Sequence, residues 1–286
     1  MVKSFLAMGF AVSSLRKNCP LRLMTPIKPN VGEVAMKLLI VSDIHGNWAA
    51  LQSVLEAEAD ADKILCLGDL VDYGPEPEAC VSWAMGQKSE SILVQGNHDW
   101  GIAWEKDPRS SPPFRHLTAA TQAFSLKVLS AQMRRFLGGL KPIGSFEILG
   151  SRCLACHATP SDPLFRYLRT AEKDLEQEIK VAGSPSFLFF GHTHWSLLKR
   201  IGKTVLVNPG SVGQPKDGDP RAAYAIWEDG EVKLRRTAYP IDATVQAYTR
   251  TPLTSSDVEA LIAVLRTGGT LPSNETDESA VRDELA

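Results

Sequence analysis

No run in this 286-residue chain approaches the roughly 18 uninterrupted apolar residues that a membrane-spanning helix needs. There is no excess of charge of either sign. Lys and Arg total 31 against 33 Asp and Glu, a net −2, so the balance carries no strong nucleic-acid signal and no reason to expect an anionic membrane as partner. Cysteine is scarce and odd in number. Cys19, Cys66, Cys80, Cys153 and Cys156 are no disulfide framework for a chain of this size, and a reducing, cytoplasmic compartment is the simplest inference. Hydrophobic residues at 44% and charged residues at 22% match an ordinary globular domain. No internal repeat is present.

The N-terminus carries an apolar stretch, Ser4 to Leu15, that loosely resembles a signal peptide. It lacks a small-residue cleavage site, and Arg16 and Lys17 follow directly. Residues 1–35 are therefore expected to be a poorly ordered extension, with Met36 an alternative true start. A domain over residues 36–269 and a disordered acidic tail over 270–286 complete the expected organisation.

From Met36 the chain alternates strand-like and helix-like segments. Lys37–Ser42, Lys63–Leu67 and Ser91–Gln95 read as buried strands, and Asn47–Glu58 and Glu78–Met85 as helices. That βαβαβ order implies a parallel sheet with crossover helices. The spacing then predicts a helix over Leu117–Leu140 with a break near Ser130, ended by Gly138-Gly139. Two strands joined at Gly150-Ser151 follow, then a charged helix over Thr170–Val181 and an aromatic strand at Ser186–Phe190. Four more strands, Ser196–Ile201, Thr204–Asn208, Ala222–Trp227 and Val232–Thr237, include a hairpin turned at Glu228–Glu231. A last helix, Ser255–Arg266, is capped by Ser255 or Ser256 and stopped by Gly268-Gly269. The mixture points to two sheets face to face with helices outside.

Histidine is rare, six residues, yet five of the six lie in short polar clusters after apolar runs. The clusters are Asp43-Ile44-His45-Gly46-Asn47, Gly68-Asp69, Gly96-Asn97-His98-Asp99, His157, and Gly191-His192-Thr193-His194. Ligands of open α/β sheets bind beyond the carboxyl ends of strands, so the fold would gather these clusters at one rim. Imidazole, carboxylate and amide oxygen suit divalent ions of hard to borderline character, with no thiolate required.

The ordered set D-x-H-G-N, G-D-L-V-D-Y-G, G-N-H-D, a lone His after a strand, and G-H-T-H resembles the calcineurin-like metallophosphoesterase superfamily. Asn208–Pro215 is similar to its compact bacterial and archaeal phosphodiesterase branch, and the likeness runs from about Met36 to Tyr239. It implies an α/β four-layer αββα sandwich of two mixed sheets, with a metal site at strand C-terminal ends. It further implies that Asp43, His45 and His194 bind one metal and that Asp69 bridges to a second held by Asn97, His157 and His192. Manganese would lead, with Fe, Zn, Ni or Co as alternatives. His98 would stay unligated and serve the leaving oxygen, oriented by Asp72. The implied activity is hydrolysis of a small phosphodiester or phosphomonoester, and self-association is open.

Two residues depart from the pattern. Tyr73 stands where the superfamily's protein Ser/Thr phosphatases carry Arg, which weakens a phosphoprotein substrate and leaves dinucleoside polyphosphates ahead of it. Ala158 follows His157 where Gly is usual. A protein-binding scaffold, as in the retromer subunit of the superfamily, is the reading from another class, but it would be expected to have lost ligands that are all present here.

Each residue alone has a plainer reading. Asp43, Asn47 and Asp99 could be caps or turns, and His192 and His194 packed histidines; five coincidences in order make that reading poor as a whole. His116 lies outside every motif and is expected to start a helix or line a loop. Asn208, Ser211 and Arg221 divide between turn stabilisation and the site wall. Cys153-Leu154-Ala155-Cys156-His157 matches the c-type haem pattern, yet strand alternation would send the two cysteines to opposite faces. Purified protein is accordingly expected to show no Soret band in an absorbance scan; a stoichiometric band would establish haem attachment.

Overall fold

The computed structural model describes residues 36–168 and 171–271; the expected N-terminal extension and nearly all of the expected acidic tail lie outside the described residues. In chain order the elements are β1 (Lys37–Val41), α1 (Trp48–Ala57), β2 (Lys63–Cys66), α2 (Pro77–Met85), β3 (Ile92–Leu93) and α3 (Asn97–Trp104). Then come α4 (Arg115–Val128), α5 (Ala131–Gly139), β4 (Ile143–Ile148), β5 (Ser151–Cys156), α6 (Glu172–Val181) and β6 (Phe187–Phe189). The rest are β7 (Leu197–Ile201), β8 (Thr204–Asn208), β9 (Ala222–Glu228), β10 (Glu231–Thr237), α7 (Ile241–Tyr248) and α8 (Ser255–Thr267).

These strands make two five-stranded mixed sheets, ordered β10-β9-β1-β2-β3 and β4-β5-β6-β8-β7. In the first, β1 is parallel to β2 and antiparallel to β9. In the second, β5, β6 and β8 run parallel, with β4 and β7 antiparallel at the edges. Two of the three hairpin turns have a two-residue geometry with positive φ at each position: Leu149-Gly150 (44° and 75°) and Asp229-Gly230 (49° and 87°). The first turn lies one residue earlier than Gly150-Ser151, because Ser151 already pairs with Ile148.

Period-two alternation builds the layers. Leu38 and Ile40 of β1 face the second sheet, with Leu65, Phe187, Phe189, Val207 and Trp227 in the same core. Leu39 and Val41 face outward, onto helices α1 and α2. On the far side, Leu188 and Leu206 pack against Leu175 and Ile179 of α6. The result is an αββα sandwich. Cys153 lies in the core between the sheets and Cys156 against α6, so the two thiols do point to opposite faces.

The break at Ser130 is real: its hydroxyl accepts from Met133 N and starts α5. One further local expectation is corrected, and two helices appear that the sequence did not signal. The N-cap of α8 is Thr254, not Ser255 or Ser256, and its hydroxyl accepts from Asp257 N at 3.2 Å. The segment from Asn97 to Trp104 is helical, although its polar start and lack of apolar periodicity gave no helical signal. Helix α7 was not anticipated, since Ile241, Thr244 and Val245 are poor helix formers; burial of Ala247 and Tyr248 overrides that preference. His116 does begin a helix, and its Nε2 meets Asp257 Oδ1 at 2.8 Å, tying α4 to α8.

Phe189 is fully buried between the sheets, so Phe189→Ala should cost about 3–5 kcal/mol, whereas removing the Thr254 cap by Thr254→Ala should cost about 1 kcal/mol. Urea titrations of the two variants against the parent measure both; equal losses would contradict this layering.

Candidate metal centre

Strands β1 and β2 of one sheet and β5 and β6 of the other all end at one rim. Asp43 and His45 follow β1, Asp69 and Asp72 follow β2, and Asn97 and His98 open α3 after β3. His157 follows β5, and His192 and His194 follow β6. The backbone turns sharply at these points. Among the described residues, twelve non-glycine residues have positive φ, and seven of them are Asp43, His45, Asp69, Asp72, Tyr73, His192 and His194. Such conformations cost of order 1–3 kcal/mol each and persist only where the surroundings impose them.

The surroundings here are hydrogen bonds between rim loops: Asp43 N to Gly68 O at 3.0 Å, His45 N to Asp69 O at 2.9 Å, and Gly213 N to Asp43 O at 3.0 Å. Asp99 accepts from the backbone N–H groups of Asp69, Leu70 and Gly96 at 2.8–3.0 Å, which makes it a clamp as well as a cap. Gly96 and Gly191 are needed for close approach: a Cβ at Gly96 would collide with the Asp69 carboxylate, and one at Gly191 with Ser42 and Asp43.

Orientation of the imidazoles follows from their outer nitrogens. His45 Nδ1 lies 2.9 Å from Val71 O, His157 Nδ1 2.7 Å from Leu67 O, and His194 Nδ1 2.6 Å from Gln214 O. A carbonyl only accepts, so each Nδ1 donates its proton and each Nε2 is turned inward, where in a neutral ring it carries a lone pair. Burial holds His45 down at about 3 and His194 well below its ordinary value, so both rings are neutral. Their Nε2 atoms are nevertheless only 3.2 Å apart: two lone pairs face each other. Asp43 Oδ1 is buried 3.4 Å from His194 Nε2, with no hydrogen-bond donor. This is a site for a cation.

A second such group adjoins it. His157 Nε2 lies 3.2 Å from His192 Nδ1, 3.2 Å from Asp69 Oδ2 and 2.9 Å from Asn97 Oδ1. Asn97 Nδ2 donates to Pro108 O at 2.7 Å, which turns the amide oxygen into the site. Burial works against a charge on His157, but Asp69 and Asp43 outweigh it and raise the ring to about 9. Asp43, His45 and His194 form one compact donor triad and Asp69, His157 and His192 the other, the ligand atoms of each within 4.8 Å of one another. Asp69 Oδ2 is also 3.7 Å from His45 Nε2, so this one oxygen faces both groups.

His98 stands beside the triads, its ring centroid 5.0 Å from that of His45. Its Nδ1 is 2.8 Å from Asp72 Oδ2. Burial opposes its charge, but Asp69 and Asp72 prevail and hold it above its ordinary value. Tyr73 is buried against His45 and His98, with its hydroxyl 2.8 Å from Thr118. His157 keeps its place with Ala158 next to it, whose backbone lies outside the left-handed region that would require Gly.

The structure resolves the open residues. Asn47 caps α1 and ties Gly213 and Tyr239 to it. Asn208 and Ser211 brace the turns at Gly191 and Asp43. Arg221 pairs with Asp219 at the surface. Two residues at the site went unread. Lys216 Nζ lies 4.3 Å from the Phe114 ring centroid and 6.0 Å from that of Tyr73, and the Tyr167 ring sits 4.1 Å from His192. Lys216 follows the Asn208–Pro215 run in a Pro-Lys-Asp-Gly sequence that reads as an exposed turn; only its adjacency to that run pointed to the site.

Comparison with known proteins agrees with this geometry. Residues 36–229 match the model of the calcineurin-like phosphoesterase superfamily domain. An uncharacterized protein of Methanocaldococcus jannaschii is 32% identical over 228 residues, covering 73% of this chain and 90% of the relative. Phosphodiesterase YfcE of Escherichia coli K12 is 25% identical over 198 residues, 68% of this chain and 88% of that one. The crystal structure of a metallophosphoesterase from Sphaerobacter thermophilus is 30% identical, covers 82% of this chain and all of its own, and superposes with a TM-score of 0.68. With two metal-ligand triads at the rim of an αββα sandwich, the chain belongs to the calcineurin-like phosphoesterase superfamily, alongside bacterial and archaeal phosphodiesterase-like relatives.

Proposed function

We propose that this metallophosphoesterase hydrolyses a small phosphodiester or phosphomonoester at a centre in which Asp43, His45 and His194 hold one divalent ion. Asp69 bridges, and Asn97, His157 and His192 hold the other. The observation that carries this reading is the pair of buried, neutral imidazoles whose Nε2 lone pairs face each other at 3.2 Å. Without a positive centre that arrangement is repulsive, and the Asp43 Oδ1 beside it stays unsatisfied. Nitrogen and oxygen donors with no thiolate suit divalent ions of hard to borderline character; the family resemblance puts manganese first, with Fe, Zn, Ni or Co as alternatives.

Two ions held by these residues would supply Lewis-acid charge to the phosphoryl oxygens and a more acidic water as nucleophile. The protein's part is orientation and proton traffic. Backbone carbonyls fix the three Nε2 ligands, and Asn97 is aimed by Pro108 O. Asp72 occupies Nδ1 of His98, which leaves Nε2 to hold a proton for the departing ester oxygen. All expected donors are in place, which disfavours a scaffold that has given up catalysis. Among the described residues no helix is long and apolar enough to cross a membrane, and Cys66, Cys80, Cys153 and Cys156 are free and buried, which supports a reducing, cytoplasmic setting.

Asp69→Asn and His192→Ala are each expected to purify with less than the parent's metal and to lose metal-stimulated hydrolysis of a nitrophenyl phosphodiester. Elemental analysis with an assay across Mn, Fe, Zn, Ni and Co checks both, and full activity in the two variants would sink the reading. His98→Ala should keep its metal yet lose about 10²–10⁴-fold in kcat. The loss should be larger for an alkyl ester than for a nitrophenyl ester, whose leaving group needs no proton. Equal losses on the two esters would remove His98 from the proton-donor role.

A further inference from the structure

Lys216 is a cation that the metal centre itself does not require. Its segment is fastened from several sides. Gly213 N donates to Asp43 O, Gln214 O accepts from His194 Nδ1, and Gly218 N donates to Gly268 O at 2.9 Å. Gly269, just beyond α8, packs against the Lys216 Cα so closely that a Cβ there would not fit. The side chain runs along the Phe114 and Tyr73 rings, with Nζ 4.3 Å and 6.0 Å from their centroids. Tyr73 is the same ring that lies 4.8 Å from His45 and 5.1 Å from His98. The ammonium therefore stands on the wall shared by the first triad and His98, within electrostatic reach of Asp43 and Asp69.

No carboxylate among the described residues lies within 4.0 Å of Nζ; among the described lysines only Lys37 and Lys233 have one. An aromatic cradle attracts a cation but satisfies none of its N–H donors. A partly buried ammonium placed this way, beside a phosphoryl-binding centre, is poised to donate to an anionic oxygen from outside the protein.

We propose that Lys216 is a substrate-binding residue that grips a non-bridging phosphoryl oxygen, so that part of the enzyme's affinity for phosphate anions comes from this side chain. The inference rests on the phosphoesterase reading above. It assigns the lysine to binding, while His98 keeps the proton transfer. A second negative charge on the phosphoryl group strengthens the contact, so a phosphomonoester dianion gains more from Lys216 than a diester monoanion does.

The test uses the full chain loaded with manganese and compares the parent with Lys216→Met and Lys216→Arg. Methionine keeps an unbranched stem on Phe114 and removes the charge; arginine retains the charge. Calorimetric titration with inorganic phosphate should show affinity weakened roughly ten- to a hundredfold in Lys216→Met and largely restored in Lys216→Arg. KM for nitrophenyl phosphate should rise by a similar factor, the rise should be smaller for the nitrophenyl diester, and metal content should match the parent. Parent-like phosphate affinity and KM in Lys216→Met, with hydrolysis and metal intact, would overturn the assignment and leave the phosphoesterase reading standing. A parent protein that binds manganese and phosphate but hydrolyses neither ester would sink that reading instead, while the phosphate titration still decides the role of Lys216. Weakened affinity in both variants would mean that shape, not charge, is read there, and would also overturn the proposal.

Discussion

Three hydrogen bonds from imidazole Nδ1 atoms to backbone carbonyls hold this site together: His45 to Val71, His157 to Leu67, and His194 to Gln214. Each joins loops that follow different strands, and each settles the tautomer of its ring. The outer nitrogen must donate, so the inner one of a neutral ring must offer its lone pair. With the rings buried and His45 and His194 kept neutral, the protein has assembled converging donors at the expense of their mutual repulsion. The outer partners thus decide where a positive charge is stabilised, as they do at metal sites generally.

That arrangement is costly in backbone terms as well. Seven non-glycine residues of the motifs occupy the left-handed region, a concentration that local preference would not produce. The opposed sheets make it sustainable. Their shared core of Leu38, Ile40, Phe187, Phe189 and Trp227 fixes the strand ends, and the inter-loop bonds at Asp43, His45 and Gly213 then leave the turns no looser alternative. Asp99 has the same logic, joining two loops with one carboxylate. Stability held in the sandwich is spent at its rim, where the chemistry needs rigid donors.

Much of this was legible beforehand because it is local. The apolar run Leu38-Leu39-Ile40-Val41, the Ser130 break and the Asp229-Gly230 turn are short-range signals that tertiary contacts reinforced. The ligand triads were legible because Asp, Asn and His recur after apolar runs in an order that chance does not supply. Other features were hidden for identifiable reasons. Helix α7 is made from residues that disfavour helix until Ala247 and Tyr248 are buried. The α8 cap moved to Thr254 because Thr and Ser are interchangeable candidates until one φ/ψ is set. Lys216 sits in a turn sequence with the look of solvent-exposed chain, and only the packing of Gly269, Phe114 and Tyr73 brings it inward.

The five histidines, with their Asp and Asn companions, were enough by themselves to specify a divalent-metal centre and the family that carries it, because donor type and order are properties of the chain. Which nitrogen of each ring faces inward was a matter for the tertiary structure alone. So were Asp69 facing both triads through one oxygen, Asn47, Asn208 and Ser211 serving as braces, and a lysine reaching the wall beside His98. Those outcomes depend on backbone carbonyls and aromatic faces contributed by residues tens to more than a hundred positions away. No local pattern encodes such a partner; it exists only once the two sheets have closed on each other.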